Sequence, residues 1–378
     1  MLETTKTATS FFLRRLRCTS MIGNYRMSSS SSHQTLLQRI QALDKSHLAP
    51  SYAAFVLFHP TPSSRYAVVG HAQKSFINST LLQVKSENGQ PIFVMEESSN
   101  KLIGTGNEIL RLVVDIEYER NKSDSEVYNH DKLFHQRTEA LEYVTQHLLK
   151  NGVISRKHAD IYPVYPLLDS IDPTNDDKVI LANINRSAAA YLGNNSVGVH
   201  LNCYVTLNNK IKVWLAKRAP TKSHHPNYWD TTVAGGQPHN LTLYENIVKE
   251  AHEEAGIPSE WLCESNKAFA DHTHDPLTML TAKEDGSCLK RSFYYSFDLE
   301  VPDTWQPTAV DGEVSEFKLY SIEELNDELR FGEKLRPAMR AVLLDFMIRH
   351  GIFKEITGED DCTELSRAMR TDRISLKW

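Results

Sequence analysis

Three glutamates recur at helical spacing in the segment between Gly235 and Ile257. Glu250, Glu253 and Glu254 stand at positions i, i+3 and i+4, which places three carboxylates on one side of a helix. Carboxylates crowded in this way repel one another, and a hard divalent cation such as Mg²⁺ or Mn²⁺ offsets that repulsion because it prefers oxygen ligands. A diphosphate is the natural substrate of such a site, since its oxygens complete the coordination of the metal.

The glutamates require a helix that packs against a sheet. Apolar residues share one arc of the helical wheel and the glutamates share the neighbouring arc, so the helix can bury one side and present the other to a cleft. The apolar arc consists of Tyr244, Ile247, Val248, Ala251 and Ala255. Gly256 is placed to end the helix, and the pair Gly235-Gly236 lets the backbone approach a ligand closely. Taken alone, the glutamates could also be a solvated acidic face.

The whole string GGQPHNLTLYENIVKEAHEEAGI resembles the Nudix box, written G-x5-E-x7-R-E-U-x-E-E-x-G-U with U apolar. Lys249 stands in the place of the arginine, and Leu241 stands in the place of the first glutamate. The glycine pair also lies one residue closer to the helix than the pattern expects. The missing glutamate is the less essential ligand in what the family implies, so the resemblance still implies a hydrolase.

The resemblance assigns roles to the residues of the box. It implies that Glu250 and Glu254 are the principal ligands of Mg²⁺ or Mn²⁺, and that Glu253 is a supporting ligand or the general base. It further implies a ligand in the backbone carbonyl of Gly235 or of the next glycine. Lys249 would orient Glu250. The implied reaction is the attack of a metal-activated water on phosphorus.

A predicted hairpin leads basic and aromatic groups to the start of the box. Its strands are Val197–Leu207 and Ile211–Ala219, and its turn is Asn208-Asn209. The residues that we expect to contact the substrate are Lys217, Arg218, Lys222 and Trp229. Cations suit a diphosphate and an indole suits a flat ring, although surface charge near a turn explains each residue equally well. Glu313 is a candidate acidic group for the metal or for water activation, or a surface turn residue.

Composition limits the classes of partner. Hydrophobic residues make up 40% and charged residues 24% of the 378 positions, which is typical of a soluble globular protein. A net charge of −6 gives no basic field for a nucleic acid polymer, and no apolar run is long enough for a membrane span. Five scattered cysteines without a CxxC motif favour a reduced compartment. The expected partner is a small-molecule diphosphate, and the sequence does not indicate an oligomeric state.

The chain is long enough for two domains, and its segments differ in character. Residues 1–33 are rich in Arg and Ser and poor in acid, which predicts either a mitochondrial transit peptide or a disordered tail, and hence a mitochondrial or cytoplasmic protein. Residues 34–180 predict a smaller α+β domain. Residues 181–352 predict an α+β domain with the α/β/α sandwich that the box implies. Residues 353–378 predict a charged, mobile tail.

Apolar periodicity predicts the remaining elements. Strands are expected at Ala53–His59, Tyr66–His71, Ile92–Met95, Ile109–Ile116, Leu277–Thr281, Arg291–Val301 and Phe317–Tyr320. Helices are expected within residues 34–50 and at Lys132–Lys150, Leu181–Tyr191, Ser321–Leu329 and Arg336–His350. A basic and aromatic cluster, Arg156-Lys157-His158 with Tyr162 to Tyr165, could hold a phosphate or a ring, but a plain turn into a strand is the favoured interpretation.

The resemblance also extends beyond the box. The segments KHADIYPVY, NINRSAAAYLG, VGVHLNCYV, VWLAKRAPTKSHHPNYWDTTVAGG, DGEVSEF and RPAMRAVLLDFMIRHG are similar to the thiamine-pyrophosphokinase-related Nudix group of fungi and plants. That group implies a diphosphatase that converts thiamine diphosphate, and preferentially its damaged oxo and oxy forms, to the monophosphate and phosphate. Two alternatives stay open. One is hydrolysis of oxidised purine nucleoside diphosphates such as 8-oxo-dGDP, and the other is a non-catalytic binding module with a decayed box.

Overall fold

The computed structural model describes residues 35–58, 66–102, 106–121, 128–165, 180–263, 265–282, 289–357 and 362–370. The predicted transit segment, residues 1–33, lies outside these ranges. No helix in the described ranges is both long and apolar enough to cross a membrane.

The fold is mixed α+β. The strands are β1 (Tyr52–Phe58), β2 (Tyr66–Gln73), β3 (Phe93–Leu102), β4 (Gly106–Leu112), β5 (Ile161–Val164), β6 (Ala182–Asn185), β7 (Ser196–Leu207), β8 (Lys210–Arg218), β9 (Trp229–Asp230), β10 (Val233–Gly236), β11 (Phe269–Asp271), β12 (Leu277–Ala282), β13 (Leu289–Glu300) and β14 (Val314–Ser321). The helices are α1 (Leu36–Gln41), α2 (Lys74–Ser79), α3 (Val113–Asn121), α4 (His130–Lys150), α5 (Arg186–Ala189), α6 (Leu243–Ala255), α7 (Ile322–Phe331), α8 (Met339–Arg349), α9 (Ile352–Thr357) and α10 (Thr363–Ala368).

Strand β13 joins the two halves of the chain. In the described residues twelve strands form one sheet, whose main path is β14-β8-β7-β13-β2-β1-β4-β3. Strand β13 runs parallel to β7 over nine residue pairs, but it meets β2 only at Leu289 and His71. Strands β5 and β6 form a separate antiparallel pair. The domain division near residue 180 stays a prediction.

The predicted hairpin before the box is confirmed. Strands β7 and β8 pair antiparallel from Tyr204 opposite Val213 to Leu207 opposite Lys210. The two turn residues, Asn208 and Asn209, have φ values of 51° and 59°. Positive φ at both central positions is typical of the type I′ turn, whose twist matches that of the flanking strands, and asparagine tolerates this conformation.

Helix α6 is confirmed, and it ends at Gly256 as predicted. Thr242 and Glu245 form a capping box at its start, and Gly256 ends it in the left-handed conformation at φ 65°. Its buried side packs on apolar side chains of β7 and β13, including Val199 and Phe293. One detail of the predicted arc is wrong, because Tyr244 is exposed and its neighbour Leu243 is buried instead.

The C-terminal part of the chain is packed more tightly than expected. Helix α10 buries Leu365 and Ala368 in the cluster that surrounds α8, and Met369 follows them into the same core. Arg370 then bonds Asp345 of α8 at 2.9 Å. The expectation of a mobile tail over residues 353–378 is therefore wrong for residues 362–370, because three apolar side chains and the ion pairs of Arg370 with Asp275 and Asp345 hold this segment.

Two other elements differ from their prediction. The apolar run Ile109–Ile116 is divided into β4, which ends at Leu112, and α3, which begins at the next residue. The predicted helix Leu181–Tyr191 is instead β6 followed by the single turn of α5. Asn185 accepts a hydrogen bond from the Ser187 backbone N–H at 3.1 Å, and with this cap the helix starts five residues later than predicted. The helix within residues 34–50 extends only over α1.

Candidate active site

The glutamates of α6 lie against the short strand β10. Oε2 of Glu254 accepts a hydrogen bond from the backbone N–H of Ala234 at 2.8 Å. Gly235 packs against the side chain of Glu250, so that a Cβ atom on this glycine would lie 2.6 Å from Cδ of Glu250. A glycine is required there because any larger residue would displace the carboxylate. The structure thus brings both predicted principal ligands, and the predicted Gly235, to one strand.

The loop between β10 and α6 is fixed by two amides. Nδ2 of Asn246, on α6, donates to the Gly236 carbonyl at 3.1 Å and to Oε1 of Gln237 at 3.2 Å. Nε2 of Gln237 in turn donates to the Leu241 carbonyl. Leu241, which stands in the place of the first glutamate of the box, therefore contributes its backbone carbonyl as a hydrogen-bond acceptor in the loop. Glu245, the next glutamate, caps the helix.

Lys249 contacts two of the three carboxylates. Its Nζ lies 2.6 Å from Oε2 of Glu253 and 3.4 Å from Oε1 of Glu250. The resemblance implies that Lys249 orients Glu250, but the contact of Lys249 with Glu250 is longer than its contact with Glu253. Glu253 and Lys249 are both nearly half exposed, whereas the Glu250 side chain is 18% exposed. The ammonium neutralises part of the acidic face, but it leaves Glu254 without a cation.

Burial and like charge act together on these carboxyl groups. Burial raises the pKa of Glu254 well above its ordinary value, and the charges of Glu250, Asp230 and Glu313 raise it further. The hydrogen bond from the Ala234 N–H lowers this pKa but does not offset the rise. Burial also raises the pKa of Glu250, with Glu253 and Glu313 adding to the shift and Lys249 opposing it. A carboxylate held in this way is destabilised unless a cation joins it.

The donor set fits a divalent cation in chemistry. In the described residues, Glu254 has one hydrogen bond and no ion pair, although it is buried. Hard cations take carboxylate and carbonyl oxygens, and the side chains of Glu250 and Glu254 and the backbone of Gly235 offer these. Within the described ranges no three His, Cys, Asp or Glu side chains converge closely enough to surround an ion as they stand.

A second charged cluster beside the glutamates was missed by sequence reasoning. Asp230 is buried and accepts from Nη1 of Arg336 at 2.8 Å and from Nη1 of Arg218 at 3.3 Å. These two guanidinium groups, with His200 and the Thr231 N–H, lower the pKa of Asp230 although burial opposes them. Burial lowers the pKa of His200 to about 3, and both arginines add to that shift. The cluster therefore holds two cations around one buried anion, and the charge of Asp230 acts on Glu254.

The predicted substrate-binding residues divide between two faces of β8. Arg218 reaches the site through Asp230, and Lys222 reaches it through an ion pair with Glu313. Lys217 instead bonds Glu316 at 3.2 Å, and its Nζ lies 5.7 Å from the centroid of the Trp229 ring.

Trp229 is buried in the core that contains α8, with its ring 5.6 Å from that of Tyr320. The prediction that Lys217 and Trp229 lie beside the glutamates is wrong. Neighbouring residues of a strand point to opposite faces, so Arg218 and Asp230 take the site face and Lys217 and Trp229 take the other.

Glu313 acts electrostatically on the glutamates of α6, but its carboxylate already forms an ion pair with Lys222. Its carboxylate raises the pKa of both Glu250 and Glu254. Lys222 holds its Oε2, and its backbone N–H donates to Asp311 at 2.8 Å. The side chain is 48% exposed. The ion pair with Lys222 thus uses one of the two carboxylate oxygens of Glu313.

Comparison with known proteins agrees with the site. Residues 198–342 match the NUDIX domain family model. The chain is 32% identical over 219 residues to "Nudix hydrolase 24, chloroplastic" of Arabidopsis thaliana, which covers 58% of this chain and 56% of that protein. It is 32% identical over 218 residues to "Nudix hydrolase 20, chloroplastic" of the same plant, covering 58% and 54%. The chain thus spans about half the length of these curated relatives.

Among solved structures, DR0079 from Deinococcus radiodurans is similar at 20% identity and a TM-score of 0.33. That similarity covers 45% of this chain and 94% of the other.

The family model begins at Gly198 and ends at Val342, so it includes α6, β10 and the Asp230 cluster. Strands β5 and β6 and helix α5 lie outside it.

Proposed function

We propose that this chain, which carries a Nudix domain over residues 198–342, is a hydrolase that cleaves the phosphoanhydride of a small diphosphate with a bound Mg²⁺ or Mn²⁺. The observation that carries the proposal is the pair of buried or half-buried carboxylates, Glu250 and Glu254, set against the glycine strand β10. Burial of the Glu254 carboxylate without an ion pair costs stability, and a bound cation would offset that cost.

The substrate that we propose is thiamine diphosphate, including its oxidised oxo and oxy analogues. Support comes from the sequence segments that resemble the thiamine-related Nudix group, since they extend over both sides of the box. The charges of the site are compatible with this class, because Arg218 and Arg336 together carry one more positive charge than Asp230, the carboxylate that they both bind. Guanidinium groups recognise phosphate oxygens through paired hydrogen bonds.

Glu250 and Glu254 would hold the metal, together with the backbone carbonyl of Gly235. When bound, the cation lowers the pKa of water and offsets the charge that builds on the phosphate oxygens. A water oxygen forms a bond to the terminal phosphorus while the bond from that phosphorus to the bridging oxygen breaks. Glu253 accepts the proton of the water, and the thiamine monophosphate leaves with the bridging oxygen. Lys249 keeps Glu253 oriented beside the other carboxylates.

The compartment is a separate proposal. The relatives from Arabidopsis thaliana carry the word chloroplastic in their names, and the Arg-rich and Ser-rich residues 1–33 favour an organelle, here the mitochondrion, over the cytoplasm. Fusion of residues 1–33 to a fluorescent protein tests this directly. Mitochondrial import of the fusion is expected, and a cytoplasmic distribution would contradict it.

The test of the activity is phosphate release in the presence of Mg²⁺ from a panel of substrates. The panel contains thiamine diphosphate, its oxo and oxy analogues, 8-oxo-dGDP, ADP-ribose and NADH. Since ADP-ribose and NADH would release no phosphate directly, their cleavage is followed by chromatography of the mononucleotide products. Preference for the thiamine compounds is expected. Preference for 8-oxo-dGDP would move the function to purine nucleotides, and no cleavage of any compound would favour a binding module.

Reaction in H₂¹⁸O tests the direction of attack. We expect the label in the released phosphate and not in the monophosphate, since the water adds to the terminal phosphorus. Label in the monophosphate would contradict the proposed step while leaving hydrolysis intact.

A further inference from the structure

Strand β5, which lies outside the Nudix domain, reaches the glycine pair of the site. A Cβ atom on Gly236 would lie 3.2 Å from the hydroxyl oxygen of Tyr162, so the phenol contacts this glycine directly. The neighbouring Gly235 packs on Glu250. The Tyr162 hydroxyl therefore contacts the glycine next to the one that packs on Glu250. In the sequence, 74 positions separate Tyr162 from Gly236.

Arg186 is fixed beside Tyr162 by the pairing of β5 with β6. Tyr162 lies opposite Ile184, and Arg186 begins α5 directly after β6. The guanidinium carbon of Arg186 lies 5.7 Å from the centroid of the Tyr162 ring, and its Nη1 bonds Oδ2 of Asp160 at 2.6 Å. A cation at this distance from an aromatic face is attracted to it. The ring and the guanidinium thus form a preformed pair.

Electrostatic interactions connect this pair to the acidic groups of the site. Burial raises the pKa of Tyr162, and the charges of Asp160 and Glu250 add to the shift while Arg186 opposes it. Burial lowers the pKa of Arg186, but Tyr162, Asp160 and Glu313 together raise it above its ordinary value. Glu250 therefore acts on Tyr162 and Glu313 acts on Arg186, which agrees with the contact of Tyr162 with Gly236.

Both side chains keep hydrogen-bonding groups available. In the part of the chain that the structure describes, the Tyr162 hydroxyl makes no hydrogen bond, and Arg186 uses only Nη1, toward Asp160. A guanidinium has five N–H donors in a planar fork, so Arg186 can donate further. Its side chain is 41% exposed and can meet a ligand from solvent.

A purely structural role would explain the ring and the ion pair but not the hydroxyl. The Tyr162 ring packs against the apolar cluster of the N-terminal region, and Arg186 together with Asp160 fastens α5 to the start of β5. Neither contact uses the phenolic oxygen. Loss of that oxygen would be neutral for a structural residue and costly for one that binds a ligand.

We propose that Tyr162 and Arg186 form a phosphate-binding subsite, through which residues outside the Nudix domain hold the anionic end of the substrate. The inference rests on the proposed function, since it takes the substrate to be a diphosphate. Arg186 would donate through its free N–H groups and Tyr162 through its hydroxyl to phosphate oxygens that face away from Glu250 and Glu254. Arginine suits this role because its planar fork matches the geometry of phosphate.

The test is the binding of methylenediphosphonate, a non-hydrolysable diphosphate, to the full chain in the presence of Mg²⁺ by titration calorimetry. Arg186→Ala is expected to raise Kd by at least about tenfold and Tyr162→Phe by about threefold to tenfold, since bonds from charged donors are the stronger ones. Arg186→Lys should recover only part of the loss, because an ammonium cannot make the paired contact. Melting curves establish that each variant is folded.

Two variants serve as matched controls. Lys318→Ala removes another cation, which is 44% exposed, bonds Glu324 at 3.1 Å and lies 4.3 Å from the centroid of the Tyr320 ring. Tyr143→Phe removes another phenolic hydroxyl, which bonds Glu139 on the surface of α4. Both should bind within about twofold of the unchanged protein. Binding by the Arg186→Ala and Tyr162→Phe proteins that equals the controls would overturn the subsite.

Turnover separates this inference from the proposed function. If the unchanged protein binds methylenediphosphonate but cleaves no diphosphate, the proposed function fails and the subsite is still judged by the variants. If it cleaves thiamine diphosphate and the variants have unchanged KM and Kd, the subsite alone fails. Failure of the unchanged protein to bind methylenediphosphonate with Mg²⁺ also overturns the subsite. The expected result is a raised KM for both variants, with a smaller change in kcat.

Discussion

Gly235 and Glu250 are in direct contact: a Cβ atom on Gly235 would fall 2.9 Å from Oε1 of Glu250. A strand glycine and a helix carboxylate thus share a space that no other residue type can enter. The contact explains why the glycine pair precedes the helix. It allows β10 to approach α6 closely enough for the Ala234 N–H to reach Glu254 as well.

Gly235→Ala should therefore lower activity without unfolding the protein. The added methyl group must push Glu250 out of position, and we expect kcat/KM to fall about a hundredfold, since misplacing a catalytic group by about 1 Å costs on that order. Phosphate release measures the effect. Gly236→Ala is the comparison, because its methyl group meets the Tyr162 hydroxyl at 3.2 Å and not Glu250, so we expect only the smaller loss that disturbing the proposed subsite would cause. Equal activity of Gly235→Ala and the unchanged protein would contradict the contact.

Glu254→Gln should separate metal binding from stability. Glu254 is buried with one hydrogen bond, which the amide oxygen of glutamine can still accept from Ala234. Removing the buried charge should leave the melting temperature of the metal-free protein unchanged or higher. Saturating Mg²⁺, at about 100 times Kd, should stabilise the unchanged protein by about 2.7 kcal/mol and the variant by much less. A large loss of stability in the metal-free variant would show that Glu254 has a structural partner instead.

Two buried histidines should make the fold sensitive to acid. Burial lowers the pKa of both His71 and His200 to about 3, with Arg291 adding to the shift of His71 and Arg336 to that of His200. The unfolded chain binds these protons near pH 6.5 and the folded chain does not, so stability falls as the pH drops from about 6.5 toward 3. At pH 5 each histidine should cost about 2 kcal/mol.

The comparison of His71→Asn with the unchanged protein isolates one of these terms. Urea unfolding between pH 7.5 and 5 should show a smaller loss of stability in the variant. His252→Asn is the control, since His252 is exposed on α6. The same pH dependence in all three proteins would mean that His71 is not buried in its neutral form.

Asp298 should be important for stability and not for chemistry. This buried carboxylate accepts from Asn202 at 2.9 Å and from His350 at 2.9 Å, and it also bonds Arg349 and His272. Asp298→Asn leaves several donors without their acceptor, and we expect about 3 kcal/mol of lost stability by urea unfolding. Asp303→Asn, at an exposed turn, should change stability by less than about 0.5 kcal/mol. Unchanged stability in Asp298→Asn would contradict the network.

The local parts of the site could be predicted from the sequence. Helix α6 has a strong apolar period, a capping residue at its start and a glycine at its end, and these signals act within a few residues of one another. The hairpin β7–β8 is equally local, because two asparagines in its turn fix the pairing. Both elements appear in the structure where the sequence places them.

The faces and the distant partners could not be predicted in the same way. Lys217 and Arg218 were both assigned to the site, although the alternation of a strand allows only one of them to face it. Arg336 approaches Asp230 across 106 residues, and Tyr162 approaches Gly236 across 74. No periodicity records such contacts, since they depend on how the elements pack. Helix α10 is too short for its apolar period to be recognised.

The most direct test of the central claim is phosphate release from thiamine diphosphate by three proteins, each measured with and without Mg²⁺. They are the unchanged chain, Glu254→Gln and Glu245→Gln, whose substitution lies on the same helix and keeps a side chain that can complete the capping box. The account predicts Mg²⁺-dependent release by the unchanged chain and by Glu245→Gln, and a loss of at least about a thousandfold in Glu254→Gln. Equal release by Glu254→Gln and the unchanged chain would contradict it.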